Sequence, residues 1–64
     1  MIKVTRLKSH DEFILNSDLI ETIEETPDTV ITLTNGKKLL VVESVDEVVR
    51  MVMDYRRSLN RGSR

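Results

Sequence analysis

The dipeptide Asn35-Gly36 lies between two runs of residues that favour β-strands, residues 30–34 and 37–42. A two-residue type I′ turn needs positive φ at both central positions, and Asn-Gly adopts it readily. The sequence therefore predicts a β-hairpin with Asn35-Gly36 as its turn. In the register set by such a turn Val30 pairs with Val41, and both faces of the hairpin carry apolar residues. The second face must then be covered by a curled part of the same sheet or by another chain.

A helix is predicted directly after the hairpin. Ser44 and Glu47 have the spacing of a capping box, in which each side chain accepts a hydrogen bond from the other residue's backbone amide. Apolar residues then recur at helical spacing: Val45, Val48, Val49, Val52, Tyr55 and Leu59. We predict a helix over residues 45–59 and a frayed tail over residues 60–64.

The predicted helix is apolar over an unusually wide arc. With Met51 and Met53 included, the arc spans about 200° at 100° per residue. A helix that packs on one surface needs roughly 100°. The excess predicts that Met51 or Met53 contacts something other than the helix's own sheet, unless both are half-exposed residues at the flanks of the arc.

The first half of the chain alternates short apolar runs with turn signals. The runs at residues 2–7, 13–15 and 19–23 favour strands, and Thr26-Pro27-Asp28 favours a turn. We therefore predict a single α+β domain over residues 1–64. It consists of a small antiparallel sheet of four or five short strands, paired as hairpins within residues 2–42, followed by one C-terminal helix.

A chain of 64 residues buries only roughly 60% of its unfolded surface and is marginally stable alone. It contains no cysteine, and His10 is its only histidine, so neither a disulfide nor a four-ligand zinc site is expected to support it. Oligomerisation is the remaining common support. We predict a homo-oligomer with an apolar interface formed by Val30, Leu39, Val41, Met51 and Met53.

The sequence offers no recognisable catalytic constellation. His10 lies in a polar turn without a nucleophile or an orienting carboxylate placed beside it, so we predict no catalytic residue, no cofactor and no metal, and a protein that is not an enzyme. The acidic cluster at residues 21–28 serves as a solvated strand edge or as a docking patch. The arginines near the helix end complement the helix dipole or bind an anionic partner. Candidate partner-binding residues are Glu24, Glu25, Pro27, Asp28, Arg50, Arg56 and Arg57.

The segment Glu24-Glu25-Thr26-Pro27-Asp28-Thr29, with Asn35-Gly36-Lys37 downstream, is the most specific part of a pattern that extends from Ile2 to about Tyr55. This pattern resembles the FlbD/SwrD family of small bacterial flagellar and swarming motility proteins. Members usually have a glycine or asparagine in the first turn, where this chain has residues 8–12. The resemblance implies an accessory protein that aids motor power, with motor and stator proteins as partners. It also implies a cytoplasmic location, at the inner face of the membrane near the flagellar base.

The alternative hypothesis is a small RNA- or DNA-binding regulator that uses the basic C-terminal helix. Against it, the formal net charge is -1, and Phe13 and Tyr55 are the only aromatic residues, so a platform for base stacking is lacking. We therefore do not expect nucleic acid to be the partner.

Overall fold

The computed structural model describes residues 1–62 and confirms the predicted α+β order of elements. Five strands precede one helix: β1 (Ile2–Thr5), β2 (Glu12–Leu15), β3 (Ile20–Glu25), β4 (Thr29–Leu33), β5 (Lys38–Val41) and α1 (Val45–Gly62). A short 3-10 helix, Ser17–Leu19, connects β2 to β3 and is capped by the side chain of Asn16.

The strands form two antiparallel sheets rather than the one sheet predicted. β1 pairs with β2, and β3, β4 and β5 form a meander in that order. The two sheets meet where Arg6 forms an antiparallel bridge with Val41. At this junction the Val42 amide donates to the Thr5 carbonyl at 2.9 Å, and the Leu7 amide donates to the Leu40 carbonyl at 3.0 Å. The strands therefore curl around a common core. This curling within one chain is one of the two alternatives that the sequence left open.

The hairpin of β4 and β5 is confirmed, but its predicted register is wrong by one residue. Val30 pairs with Leu40 instead of Val41. The turn has three residues, because the Leu33 amide donates to the Lys37 carbonyl at 2.8 Å across it. Within residues 1–62 only His10 and Gly36 have positive φ, so Asn35 does not adopt the type I′ conformation. Gly36, at φ 88°, is the left-handed residue that closes a three-residue hairpin loop.

The shifted register changes which residues share a face. Ile31 pairs with Leu39, and both face the core, as does Val41, which is only 1% exposed. Val30 and Leu40 lie on the opposite, outer face. The predicted grouping of Val30 with Leu39 and Val41 on one interface-forming face is therefore wrong.

The core lies between the curled sheets and the helix. Its buried apolar side chains come from both sheets and from α1: Ile2, Val4, Leu15, Ile31, Leu33, Val41 and Val48. Helix α1 packs on β1 and β3, and Met51 and Val52 pack against the buried cluster from the helix side. Met51 is thus a partly buried core neighbour, which leaves Met53 as the outward-facing methionine of the pair.

The predicted capping box is confirmed. The Glu47 amide donates to the Ser44 hydroxyl at 3.1 Å, and the Ser44 amide donates to the Glu47 carboxylate at 2.8 Å. The helix begins at Val45 as predicted but continues to Gly62, past the predicted end at residue 59. Residues 63 and 64 of the predicted frayed tail lie outside the described residues. A helix of 18 residues is about 27 Å long, so α1 follows the long axis of a molecule that measures 40 × 22 × 18 Å.

Candidate interaction surfaces

A groove runs between α1 and β3, and we call it the helix groove. It has a volume of about 240 Å³ and is lined by Ser17, Ile20, Ile23, Val49, Val52, Met53 and Arg56. In the described part of the chain β3 pairs with β4 alone, so its other edge is open. A register irregularity between Ile20 and Thr22 lets Ile20 and Ile23 both pack against the core side of the sheet. The helix covers this edge incompletely, which leaves the groove open.

The two ends of the helix groove differ in charge. At the helix N-terminus the Val45 amide donates to the Glu25 carboxylate at 3.0 Å, so β3 is tied to the start of α1. A negative charge is favourable there because the free amides of the first helical turn point toward it. Arg56 lies eleven residues further along the helix, about 16 Å away by helical rise.

The predicted partner-binding residues therefore form two separate sets. The first set, the acidic residues Glu24, Glu25 and Asp28 together with Pro27, is exposed at the end of β3 and in the β3–β4 turn, near the start of α1. The basic set, Arg50, Arg56 and Arg57, is exposed along α1. The structure does not bring the two sets into one patch.

The outer surface of α1 carries an apolar ridge, formed by Val49 and Met53. Val49 is 40% exposed and Met53 is 56% exposed. A second surface feature runs beside this ridge: the residues Asp46, Arg50, Asp54 and Arg57, which share a shallow depression with Val49 and Met53. We call these four residues the charged stripe. Within it the Arg57 guanidinium donates to Asp54 at 3.0 Å, and both side chains are well exposed, so the pair contributes little to stability.

A second groove lies where the two sheets meet, and we call it the junction groove. It has a volume of about 300 Å³ and is lined by Arg6, Lys8, Phe13, Lys38, Leu39 and Leu40. The Arg6 guanidinium carbon lies 4.2 Å from the centroid of the Phe13 ring, which is a cation–π contact. Among the described residues that line the groove, three are cations and none is acidic.

Sequence reasoning missed the junction groove. Its cations come from two distant stretches of the chain, at positions 6–8 and 38, and no local motif links them. They converge only because β1 continues into the bridge between Arg6 and Val41. The one sequence feature that could have indicated this groove was the pair Leu39-Leu40, which places an apolar residue on each face of β5.

A partly buried carboxylate, that of Glu43, also stabilises the junction of the two sheets. Glu43 accepts a hydrogen bond from the Thr5 amide at 2.9 Å and another from the Thr5 hydroxyl at 2.8 Å. Burial of the Glu43 carboxylate acts to raise its pKa, but these hydrogen bonds outweigh burial and hold the pKa below its ordinary value. Glu43 therefore remains charged and fixes the segment that leads into α1.

The described residues show no metal centre and no membrane span. Residues 1–62 contain no group of three or more His, Cys, Asp or Glu side chains placed to hold a metal ion. His10 is exposed in the β1–β2 turn, where its φ of 62° takes the left-handed conformation. No helix in this part of the chain is both long and apolar enough to cross a bilayer.

Comparison with known families gives a match over almost the whole chain. The family model for FlbD, described as flagellar and swarming motility proteins, matches residues 1–60. The matched region includes both sheets and α1 almost to its end. No curated protein and no solved structure matches the chain.

Proposed function

The chain belongs to the FlbD family of flagellar and swarming motility proteins, and from this premise we propose that it is a non-enzymatic accessory protein that supports motor power. It acts by direct contact with a stator or motor protein, at the cytoplasmic face of the membrane near the flagellar base. Family membership supports the motility role. The observation that carries direct contact is the junction groove, which is open, partly apolar and positively charged.

The chemistry of the junction groove favours an acidic, partly apolar segment as its occupant. Arg6, Lys8 and Lys38 provide three positive charges, which attract and orient a carboxylate-bearing partner. Leu40, 43% exposed, provides apolar surface next to these charges. Because Arg6 is already stacked on Phe13, its guanidinium loses less freedom on binding than an unsupported arginine would.

The lining of the grooves also supports a binding role rather than catalysis. None of the described residues that line the junction groove supplies a hydroxyl, an imidazole or a carboxylate, the groups from which a nucleophile and its general base are usually built. Of the described side chains that line the helix groove, only Ser17 is a hydroxyl, and no histidine or carboxylate lies beside it there as a general base.

A nucleic-acid-binding regulator is the second candidate, because three clustered cations also suit phosphate groups. Two observations favour contact with a protein over binding of nucleic acid. The Phe13 ring is covered by Arg6, which reduces the surface on which a base can stack. On α1, Asp46 and Asp54 alternate with Arg50 and Arg57, so the charged stripe is not the uniformly basic surface that the regulator hypothesis requires.

The test measures binding of the purified protein to cytoplasmic segments of stator and motor proteins from the same bacterium. Lys38→Glu reverses a charge inside the junction groove, whereas Lys37→Glu makes the same change at an exposed neighbour that does not line it. We expect Lys38→Glu to abolish binding and Lys37→Glu to retain it. Equal binding by both variants would contradict the proposal.

The same variants separate the two candidate functions. RNA and DNA duplexes of mixed sequence are titrated in parallel at physiological salt. Tight nucleic-acid binding that Lys38→Glu removes, without binding to any motor segment, would favour the regulator. Phosphate contacts weaken steeply as salt rises, so we expect nucleic-acid binding to disappear under these conditions.

A further inference from the structure

The apolar ridge of α1 is only partly covered by the described part of the chain, since Val49 is 40% and Met53 56% exposed. Val49 and Met53 are four positions apart and therefore lie one above the other on the same helix face. They stand beside the helix groove on one side and the charged stripe on the other. An exposed apolar ridge with charged residues along its flank is the composition of a helix–helix contact.

The charged stripe identifies the occupant. From the N-terminal end of α1 it reads acid, base, acid, base: Asp46, Arg50, Asp54, Arg57. A copy of the helix that runs in the opposite direction presents base, acid, base, acid. Asp46 of one copy then faces Arg57 of the other, and Arg50 faces Asp54. In a parallel pair related by a two-fold axis along the helices, the two stripes lie on opposite flanks and do not face each other.

We propose that a second copy of this chain packs antiparallel on α1, with ridge against ridge and stripe against stripe, to form a two-fold symmetric dimer. A two-fold axis perpendicular to the helices keeps the same flank on the same side, so the stripe of each copy meets the stripe of the other. Each unlike pair therefore occurs twice. The helix, about 27 Å long, is long enough for the full stripe to be used.

The free edge of β3 is a poorer site for a second copy. Glu21, Glu24 and Glu25 occupy three of its six positions. Two such strands paired with each other would bring carboxylates close together, which is destabilising. The dimer thus uses α1, with Met53 at its centre, and not the hairpin residues Leu39 and Val41 that face the core.

The test is sedimentation equilibrium and native mass spectrometry of the full chain over a micromolar concentration range. Arg50→Asp alone sets two carboxylates against each other at both central contacts of the dimer, and Asp54→Arg alone sets two guanidinium groups against each other there. We expect each single variant to raise the dimer dissociation constant about tenfold or more. An equimolar mixture of the two variants restores both unlike pairs, so we expect heterodimers to form preferentially.

The mixing experiment distinguishes charge pairing between two chains from ion pairing within one helix. Asp54→Arg also removes the pair with Arg57 on the same helix, and Arg50→Asp removes any i,i+4 attraction to Asp54. Mixing the two variants cannot restore a pair within one helix. Circular dichroism verifies that both variants keep their helix, and Met53→Glu, at the more exposed residue of the ridge, must also dissociate the dimer. A monomeric wild type across the range, or a mixture without heterodimers, would overturn the proposal. Lys37→Glu serves as the charge-reversal control and must dimerise like the wild type.

Discussion

Glu43 and Thr5 are joined by two hydrogen bonds although they lie 38 positions apart in the sequence. Thr5 ends β1, and Glu43 immediately precedes the capping residue of α1. The pair therefore holds the junction of the two sheets against the start of the helix. It positions the junction groove on one side and α1 on the other, so its removal is expected to loosen both.

Replacing Glu43 with Gln removes the charge that accepts both hydrogen bonds. We expect the free energy of unfolding at neutral pH to fall by about 1 to 2 kcal/mol, as is typical of hydrogen bonds to a charged group. Urea unfolding measures the change. Thr5→Val removes the hydroxyl donor but keeps the amide, so it must cost less; a larger loss from Thr5→Val would contradict this assignment.

The same carboxylate predicts an acid dependence of stability. Because the pKa of Glu43 is lower in the folded chain, the unfolded chain takes up the proton at the higher pH. The contribution of Glu43 is therefore complete above its ordinary pKa of 4.5 and is lost as the pH falls through the folded-state value. Urea unfolding from pH 7 to pH 3 must show a shallower decline for Glu43→Gln than for the wild type. Parallel profiles would show that Glu43 is not the responsible group.

The capping box predicts a local effect on α1. Ser44→Ala removes the acceptor of the Glu47 amide and is expected to cost about 1 kcal/mol of unfolding free energy. Ser44→Asp keeps an acceptor at the same position and is expected to lie close to the wild type. Denaturation midpoints measure both, and an unchanged midpoint for Ser44→Ala would mean that the cap does not stabilise the protein.

His10 adopts a left-handed conformation that costs a residue with a Cβ atom more than it costs glycine. His10→Gly relieves this cost but increases the freedom of the unfolded chain, and the net gain is expected to be about 0.5 kcal/mol. His10→Val, which is β-branched, is expected to destabilise the protein. Thermal unfolding of the two variants must shift in opposite directions; a stabilising His10→Val would refute the strain argument.

Local signals in the sequence predicted the elements but not how they are assembled. The capping box of Ser44 and Glu47 and the β-prone runs around Asn35-Gly36 involve neighbouring residues, so one sequence suffices to recognise them. Asn-Gly, however, is compatible with both a two-residue and a three-residue loop. This difference of one residue in loop length shifts the register. Val41 therefore lies in the core, whereas the predicted register placed it at an interface.

The candidate surfaces were predicted less completely, for a related reason. Helical periodicity predicted that Met51 or Met53 lies beyond the helix's own sheet, but it did not distinguish the two, and the structure leaves Met53 exposed. The junction groove depends on the pairing of Arg6 with Val41, between segments that are far apart in the chain. Periodicity within a segment carries no information on which distant segments pair, so Arg6 and Lys38 were not recognised as neighbours. Partner contact and self-association remain predictions for experiment.

Site-specific photo-crosslinking in motile cells tests whether the junction groove contacts a motor or stator protein. A photoreactive residue replaces Leu40, which lines the groove, or Thr34, which is exposed at the hairpin tip and does not line it. We expect a crosslink from position 40 to a stator or motor protein and none from position 34. Crosslinks from position 40 to nucleic acid alone, or equal crosslinking of the same motor protein from both positions, would contradict this expectation.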